Sequence, residues 1–219
     1  MKAPAGAAAL VGAGLVGYLA GTFPSADVAS RLATGGRVDL RTSGSNNPGA
    51  LNAAQQLGSR WGIAVLVADA TKGLVGAVAG RRLAGAPGAY LAATTAIGGH
   101  IAPVWSRFRG GKGVATSAGS CLAVFPAYFP IDAAVAAISV ARSGSAETSV
   151  RVSALIWTAS AFVWWQRGWP NLWGPPPTAG LPAFALIGST MIVAKFASAG
   201  RAATARATAA AASMTGAAR

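Results

Sequence analysis

The stretch Arg41-Thr42-Ser43-Gly44-Ser45-Asn46-Asn47-Pro48-Gly49-Ala50-Leu51-Asn52 is dense in hydroxyls, amides and glycines. Such residues offer side-chain donors and exposed backbone N–H groups, which together can hold an anion without a metal. Turns are made of the same residues, so the composition also fits an ordinary loop. A second polar stretch reads Arg107-Phe108-Arg109-Gly110-Gly111-Lys112-Gly113-Val114-Ala115-Thr116. Its three glycines allow a backbone to fold close round a ligand. Lys112 and the N-terminus of a following helix would both favour a phosphate there. The pattern is not a Walker A loop, which needs Gly where Ser106 stands and a hydroxyl where Gly113 stands, and this disfavours nucleotide hydrolysis.

Two further groups of residues could do chemistry. Asp69 and Lys72 stand three apart and share one helix face with Gly73, Gly76 and Gly80. They read either as a pair that orients neighbouring loops or as a structural pair. His100 is the only histidine; a lone His is more often a hydrogen-bonded structural residue than a general base. With one His, one Cys (Cys121) and no carboxylate cluster, neither a metal site nor a cofactor is expected. No GxSxG elbow occurs, which removes an α/β-hydrolase triad.

The elements that must position these residues are written in the composition. Of 219 residues, 53% are apolar and only 11% charged, with a mean hydropathy of +0.48. A soluble domain carries about a quarter charged residues, and a disordered chain is far less apolar. A disulfide scaffold is excluded because Cys121 has no partner. A polytopic, all-α integral membrane protein remains, and 29 Gly and 7 Trp suit it, since small residues let membrane helices approach closely. The net charge of +13 is spread singly along the chain, which fits cytoplasmic loops and anionic lipid better than nucleic acid.

Seven apolar segments are expected, near 7–30, 61–80, 88–106, 113–126, 129–142, 150–167 and 180–197. The fourth and fifth are short, about 21 Å each against a hydrocarbon core of roughly 30 Å. They are separated by Pro126 and Pro130, so one kinked span of 29 residues is the alternative. Seven segments with the N-terminus outside put twelve cations inside (Arg31, Arg37, Arg41, Arg60, Arg107, Arg109, Lys112, Arg142, Arg151, Arg201, Arg206 and Arg219). Four stay outside: Lys2, Arg81, Arg82 and Arg167. Six segments weaken that bias, so seven are preferred, with the C-terminus cytoplasmic. The first segment resembles a signal peptide but continues through Pro24 to Arg31, and its Gly17/Gly21 pair suits a retained helix. Residues 1–197 read as one membrane domain and 198–219 as a cytoplasmic tail of Ala, Thr, Ser and Arg, in which no site is read. No internal repeat suggests an inverted-repeat transporter.

The two polar stretches together resemble a known family, the PlsY-type acyl-phosphate:glycerol-3-phosphate acyltransferases. Ser43 to Asn52 is similar to that family's GSGNxGATN motif. Gly99-His100-Ile101-Ala102-Pro103 followed by Phe108 to Thr116 is similar to its GHxFP…FKGGKGVAT stretch. Gly21-Thr22-Phe23-Pro24 and Asp69-Ala70-Thr71-Lys72-Gly73 resemble its GSIP and DxxKG elements, in the right order. The resemblance implies a multi-pass enzyme of the bacterial cytoplasmic (inner) membrane, among membrane lipids. Such an enzyme moves an acyl chain from acyl phosphate to glycerol 3-phosphate, giving lysophosphatidic acid. It implies catalytic roles for Ser43, Ser45, Asn47 and Lys112. Substrate-binding roles fall to Gly44, Gly49, Asn52, His100, Gly110, Gly111, Gly113 and Thr116.

Two departures from the pattern stand out. Gln55 occupies the place of the family's Arg, and Lys195-Phe196-Ala197-Ser198-Ala199-Gly200-Arg201 replaces its C-terminal HxxNIxRL. Arg41, Arg109 and Arg201 are the cations available in exchange. The alternatives from other classes are a non-catalytic homologue that binds a phosphate or acyl ligand, and a transporter of a small phosphorylated solute.

Overall fold

The computed structural model describes residues 6–216, and among these all regular structure is helical. The chain runs α1 (Ala7–Gly21), α2 (Ser25–Thr34), α3 (Ala50–Leu57), α4 (Ser59–Ile101), a 3-10 turn (Val104–Ser106), α5 (Val114–Val124), α6 (Phe129–Ser143), α7 (Ala146–Arg167) and α8 (Gly180–Gly216). Among the described residues three stretches are long and apolar enough to cross a membrane: Ala7–Thr34, Ser59–Ser106 and Gly180–Ala209. Large apolar side chains such as Leu15, Leu155 and Phe162 point outward, as lipid contact requires. Lys2 and Arg219, counted in the charge bias, lie outside the described residues.

The first apolar segment does not form the single helix expected over 7–30. It breaks at Thr22–Pro24, because Pro24 has no N–H to give and biases the residue before it away from helix. The break turns the Phe23 carbonyl inward, where it accepts a hydrogen bond from Lys72 Nζ at 3.1 Å. Gly17 and Gly21 let α1 lie directly on the second half of α4. A β-carbon on Gly17 would collide with the Ala92 carbonyl, and one on Gly21 with that of Ala96.

The second and third segments are two arms of α4. Their helical path is interrupted at Ala84 and Gly85, where Gly85 takes φ +64°, and Pro87 opens the returning arm. Gly80 and Gly88 face each other across the bend with no room for side chains. Both ends of α4 therefore lie at one end of the bundle, beside the two polar loops.

α5 and α6 are separate helices and not one kinked span. Phe125 leaves helical geometry, and the chain reverses over Pro126. α5 has only 11 residues, and the loop after α7 completes its end. Trp173 Nε1 donates to the Leu122 carbonyl at 2.9 Å, and Asn171 Nδ2 to that of Val124 at 2.9 Å. These satisfy terminal carbonyls that a short helix in a membrane cannot leave bare. Arg81 also bonds the Trp173 carbonyl at 2.8 Å, which fixes this loop at the end of the bundle opposite the polar loops. The core is aromatic, with Phe125, Tyr128, Trp157 and Phe184 packed against Ile97 and Leu181. α8 runs without interruption through the stretch read as a tail, as far as Gly216.

Candidate active site

Asn52 organises the first polar loop. It sits in the first turn of α3, 2% exposed. Its Nδ2 donates to the carbonyls of Leu40 (3.0 Å), Ser43 (3.0 Å) and Asn47 (3.1 Å), and its Oδ1 accepts from the Ser45 amide at 3.1 Å. Gly44 must take φ +58° where the loop folds over this amide, and a side chain there would collide with Asn52 Oδ1. Ser45, Asn46 and Asn47 are thereby displayed at the crest. Pro48 is buried beneath them, and Gly49 stands at the N-cap of α3.

The glycine loop folds back on the end of α4. Gly110 N–H donates to the Ile101 carbonyl and Gly111 N–H to that of His100, both at 3.1 Å. A β-carbon on Gly110 would strike the His100 carbonyl, and one on Gly111 the imidazole Nε2, so the loop needs glycine to lie this close. Gly113 opens α5 at φ +86°, another position suited to glycine.

Arg41 joins the two loops. Its guanidinium makes a two-point ion pair with Asp27 of α2, and its Nε donates to the Arg109 carbonyl at 2.9 Å. Two cavities meet at this side chain, of about 240 and 250 Å³, sharing Arg41, Pro48 and Gly110 as their common wall.

The first cavity is lined by Ser25, Arg31, Lys72 and His100, with Gly110 and Gly111 on one side. Behind it Asp69, 2% exposed, holds Lys72 Nζ at 2.9 Å, approaches His100 Nδ1 at 3.5 Å and accepts from the Ser25 hydroxyl. Lys72 and His100 come from the two arms of α4, and Ser25 from beyond the break at Pro24. The charged pair is thus placed beside the cavity by the bend and by the break. Phe23, Val28 and Trp105 line the cavity and remain exposed at its mouth, at 50%, 39% and 70%.

The second cavity has Ser45, Asn46, Asn47 and Arg109 on one wall. Lys195, Ser198 and Arg206 of α8 form the other. Its lining holds four cations and no carboxylate, so an anion is the favoured occupant.

Several residues expected at the site stand elsewhere. Ser43 and Asn52 line neither cavity and serve the internal bonding of the loop. Gly44, Gly49 and Gly113 shape the backbone. Thr116 is fully buried where α5 meets Gly73 of α4. Lys112 turns to α8, its ammonium 4.1 Å from the centre of the Phe196 ring. Partial burial lowers its pKa from the ordinary lysine value, and Glu147 opposes that shift. Arg201 points away from the cavity that Arg206 lines.

Composition alone marks no site in 198–219, so Arg206 counts there only as a cytoplasmic cation, and Lys195 and Ser198 stand out only as part of the stretch that replaces the family's C-terminal motif. The signal was periodicity. Lys195, Ser198, Ala199, Ala202 and Arg206 follow offsets of three, four, seven and eleven, one face of a helix. At about 100° per residue Arg206 falls within about 20° of Lys195, whereas Arg201 is turned about 120° away.

The sequence model described as Glycerol-3-phosphate acyltransferase matches residues 11–204, most of the chain. The chain belongs to the glycerol-3-phosphate acyltransferase family. The glycerol-3-phosphate acyltransferase of Anaeromyxobacter sp. (strain Fw109-5) is 41% identical over 180 residues, 78% of this chain and 83% of that one. That of Anaeromyxobacter dehalogenans (strain 2CP-C) is 50% identical over 117 residues, half of this chain. This match spans 57% of that relative's length. The fold is that of PlsY (YgiH), an integral membrane glycerol 3-phosphate acyltransferase whose crystal structures include a glycerol 3-phosphate form. The TM-score is 0.70 at 24% identity, covering 90% of this chain and 93% of that one. Within this acyltransferase family, then, both loops and the DxxKG-like pair of this member meet at one end of the bundle.

Proposed function

We propose that this chain transfers an acyl group from acyl phosphate to the 1-hydroxyl of glycerol 3-phosphate. The observation that carries the reading is the pair of cavities meeting at Arg41 and Gly110, the first lined by Arg31, Arg41, Lys72 and the carboxylate of Asp27, the second by four cations and no carboxylate. Two phosphorylated substrates need two anion sites close enough for the hydroxyl of one to reach the carbonyl of the other. An acyl phosphate is already activated, so no covalent enzyme intermediate is required. The hydroxyl oxygen bonds to the acyl carbon, the carbon–oxygen bond to phosphate breaks, and the hydroxyl proton ends on the departing phosphate. The protein's part is to hold both phosphates and align the reacting atoms, which can lower a barrier by several kcal/mol.

The membrane placement follows the same reading. The N-terminus lies outside, the two polar loops and the C-terminus face the cytoplasm, and the membrane is the bacterial cytoplasmic one. Support comes from the bias of basic residues toward the polar-loop end. The acyl tail remains among lipids while both phosphates stay at the inner face. Ser45 and Asn47 are the loop groups that reach a substrate, and His100 lines the adjoining cavity. The test is to incubate purified protein with acyl phosphate and labelled glycerol 3-phosphate. Labelled lysophosphatidic acid with an equal amount of inorganic phosphate is the expected result. Tight binding of both ligands with no product would contradict it.

A further inference from the structure

Between α5, α6, α7 and α8 lies a third cavity, of about 50 Å³, which shares no lining residue with the two at the polar loops. Much of its wall is apolar, with Val114, Val150 and Ile192. Val114 is 45% exposed, so this wall continues onto the outer surface of the bundle. Three polar side chains on the wall stand without partners. Asp132 of α6 makes no ion pair and no side-chain hydrogen bond among the described residues. Ser153 Oγ and Trp157 Nε1 of α7 are buried with no hydrogen-bond partner among them, and Trp157 is only 6% exposed. The other hydroxyls are committed. Ser117 donates to the Val114 carbonyl at 2.8 Å and Ser189 to that of Ala154 at 3.5 Å. A carboxyl group inside a membrane is costly unless a partner answers it, and so is a buried N–H.

These three groups together define what fits. The carboxyl oxygens of Asp132 accept, the indole N–H of Trp157 can only donate, and the Ser153 hydroxyl does either. A metal cation or an ammonium group answers Asp132 but leaves the indole N–H unanswered. A phosphate or carboxylate answers the indole but is repelled by Asp132. A hydroxyl group satisfies all three: its proton goes to Asp132, and its lone pairs accept from Trp157 and Ser153. The volume admits roughly three or four non-hydrogen atoms, a head and not a chain. Any longer apolar body must remain outside, along the surface that Val114 begins. We propose that this cavity binds the hydroxyl head of an uncharged long-chain alcohol drawn from the bilayer, with Asp132 as acceptor and Trp157 and Ser153 as donors. Its occupancy does not depend on acyl transfer.

The experiment adds a photoactivatable long-chain alcohol to the full chain in phospholipid vesicles and locates the covalent label by peptide mapping. The same probe without its hydroxyl, an alkane of equal length, serves as the comparison. Saturable labelling of the α7 stretch around Ser153 and Trp157 is expected, roughly ten-fold or more stronger for the alcohol, the value of a charge-assisted contact. Asp132→Leu sets apolar atoms in an apolar wall and should lose that advantage. Trp157→Phe keeps a ring without the N–H and should lose roughly three- to ten-fold. Asp132→Asn keeps an acceptor oxygen and should stay within about five-fold of wild type. Thr190→Val, on the exposed side of α8, should label as wild type. Tm read beside the labelling reports whether each variant folds; should Asp132→Leu not fold, Trp157→Phe and Ser153→Ala carry the test. Equal labelling by alcohol and alkane would overturn the proposal, since the polar groups would then hold water alone. So would undiminished alcohol labelling in the folded Ser153→Ala/Trp157→Phe double variant.

Discussion

Replacing Asn52 by Asp exchanges one NH2 group for an oxygen and leaves the side chain's shape almost unchanged. In the native loop that group supplies two N–H donors shared by the carbonyls of Leu40, Ser43 and Asn47. In the variant a carboxylate oxygen faces three carbonyl oxygens at a position 2% exposed. Two lost hydrogen bonds are worth about 1–3 kcal/mol net, and a buried acceptor left without a donor adds a further 1–3 kcal/mol. Taken together, about 3–5 kcal/mol is removed from the ordered loop, a factor of roughly a hundred or more in its population. The bundle itself does not depend on these bonds, so the cost falls on catalysis. The assay is lysophosphatidic acid formation, with hydrogen exchange at the Ser45 amide as the structural reading. We expect kcat/KM to fall at least about 30-fold, Asn52→Ala to be milder than Asn52→Asp, and the Ser45 amide to lose protection. An Asn52→Asp protein within about three-fold of wild type, its Ser45 amide still protected, would refute the view that this amide builds the loop.

Further outcomes follow from other parts of the molecule. Asp69→Asn leaves Lys72 buried without its counter-charge and should destabilise the fold by about 3–5 kcal/mol, read as a lower Tm in micelles. Adding Lys72→Met should recover much of that loss. Gly119→Ala should separate α4 from α5, because its β-carbon would overlap the Ala70 carbonyl; the expected result is a lowered Tm with weakened binding of both substrates. In a Cys121→Ala background, a cysteine at position 45 should resist an impermeant reagent applied to intact cells, and one at position 82 should react. The opposite pattern would reverse the proposed orientation.

Much of this arrangement is legible in the residues. Hydropathy gives the seven segments, and Gly17, Gly21, Gly73 and Gly80 lie where backbones touch. The two polar stretches also point to one shared site before any geometry is known. What hydropathy misses are events of one or two residues. It averages across Pro24, so the break that turns the Phe23 carbonyl to Lys72 is lost in a run of apolar neighbours. It also cannot foresee that Asn171 and Trp173, distant in sequence, complete the short α5. The glycine neighbours of Lys112 point it toward a phosphate, yet the ring of Phe196, 84 positions along, competes for its ammonium. Composition also hides phase, so Lys195 and Arg206 do not read as one face of α8. Alanine-rich sequence reads as filler until its period is counted against the helix.

Acyl transfer at the junction of two anion sites is the central claim, and one measurement addresses it most directly. The purified chain, reconstituted in phospholipid vesicles, is given acyl phosphate and labelled glycerol 3-phosphate, and lysophosphatidic acid and inorganic phosphate are followed together. Equal appearance of the two in the wild type is predicted, with product loss of at least ten-fold in Arg41→Ala, the residue that both cavities share. Phosphate release without lysophosphatidic acid, or product formation unaffected by Arg41→Ala, would contradict it.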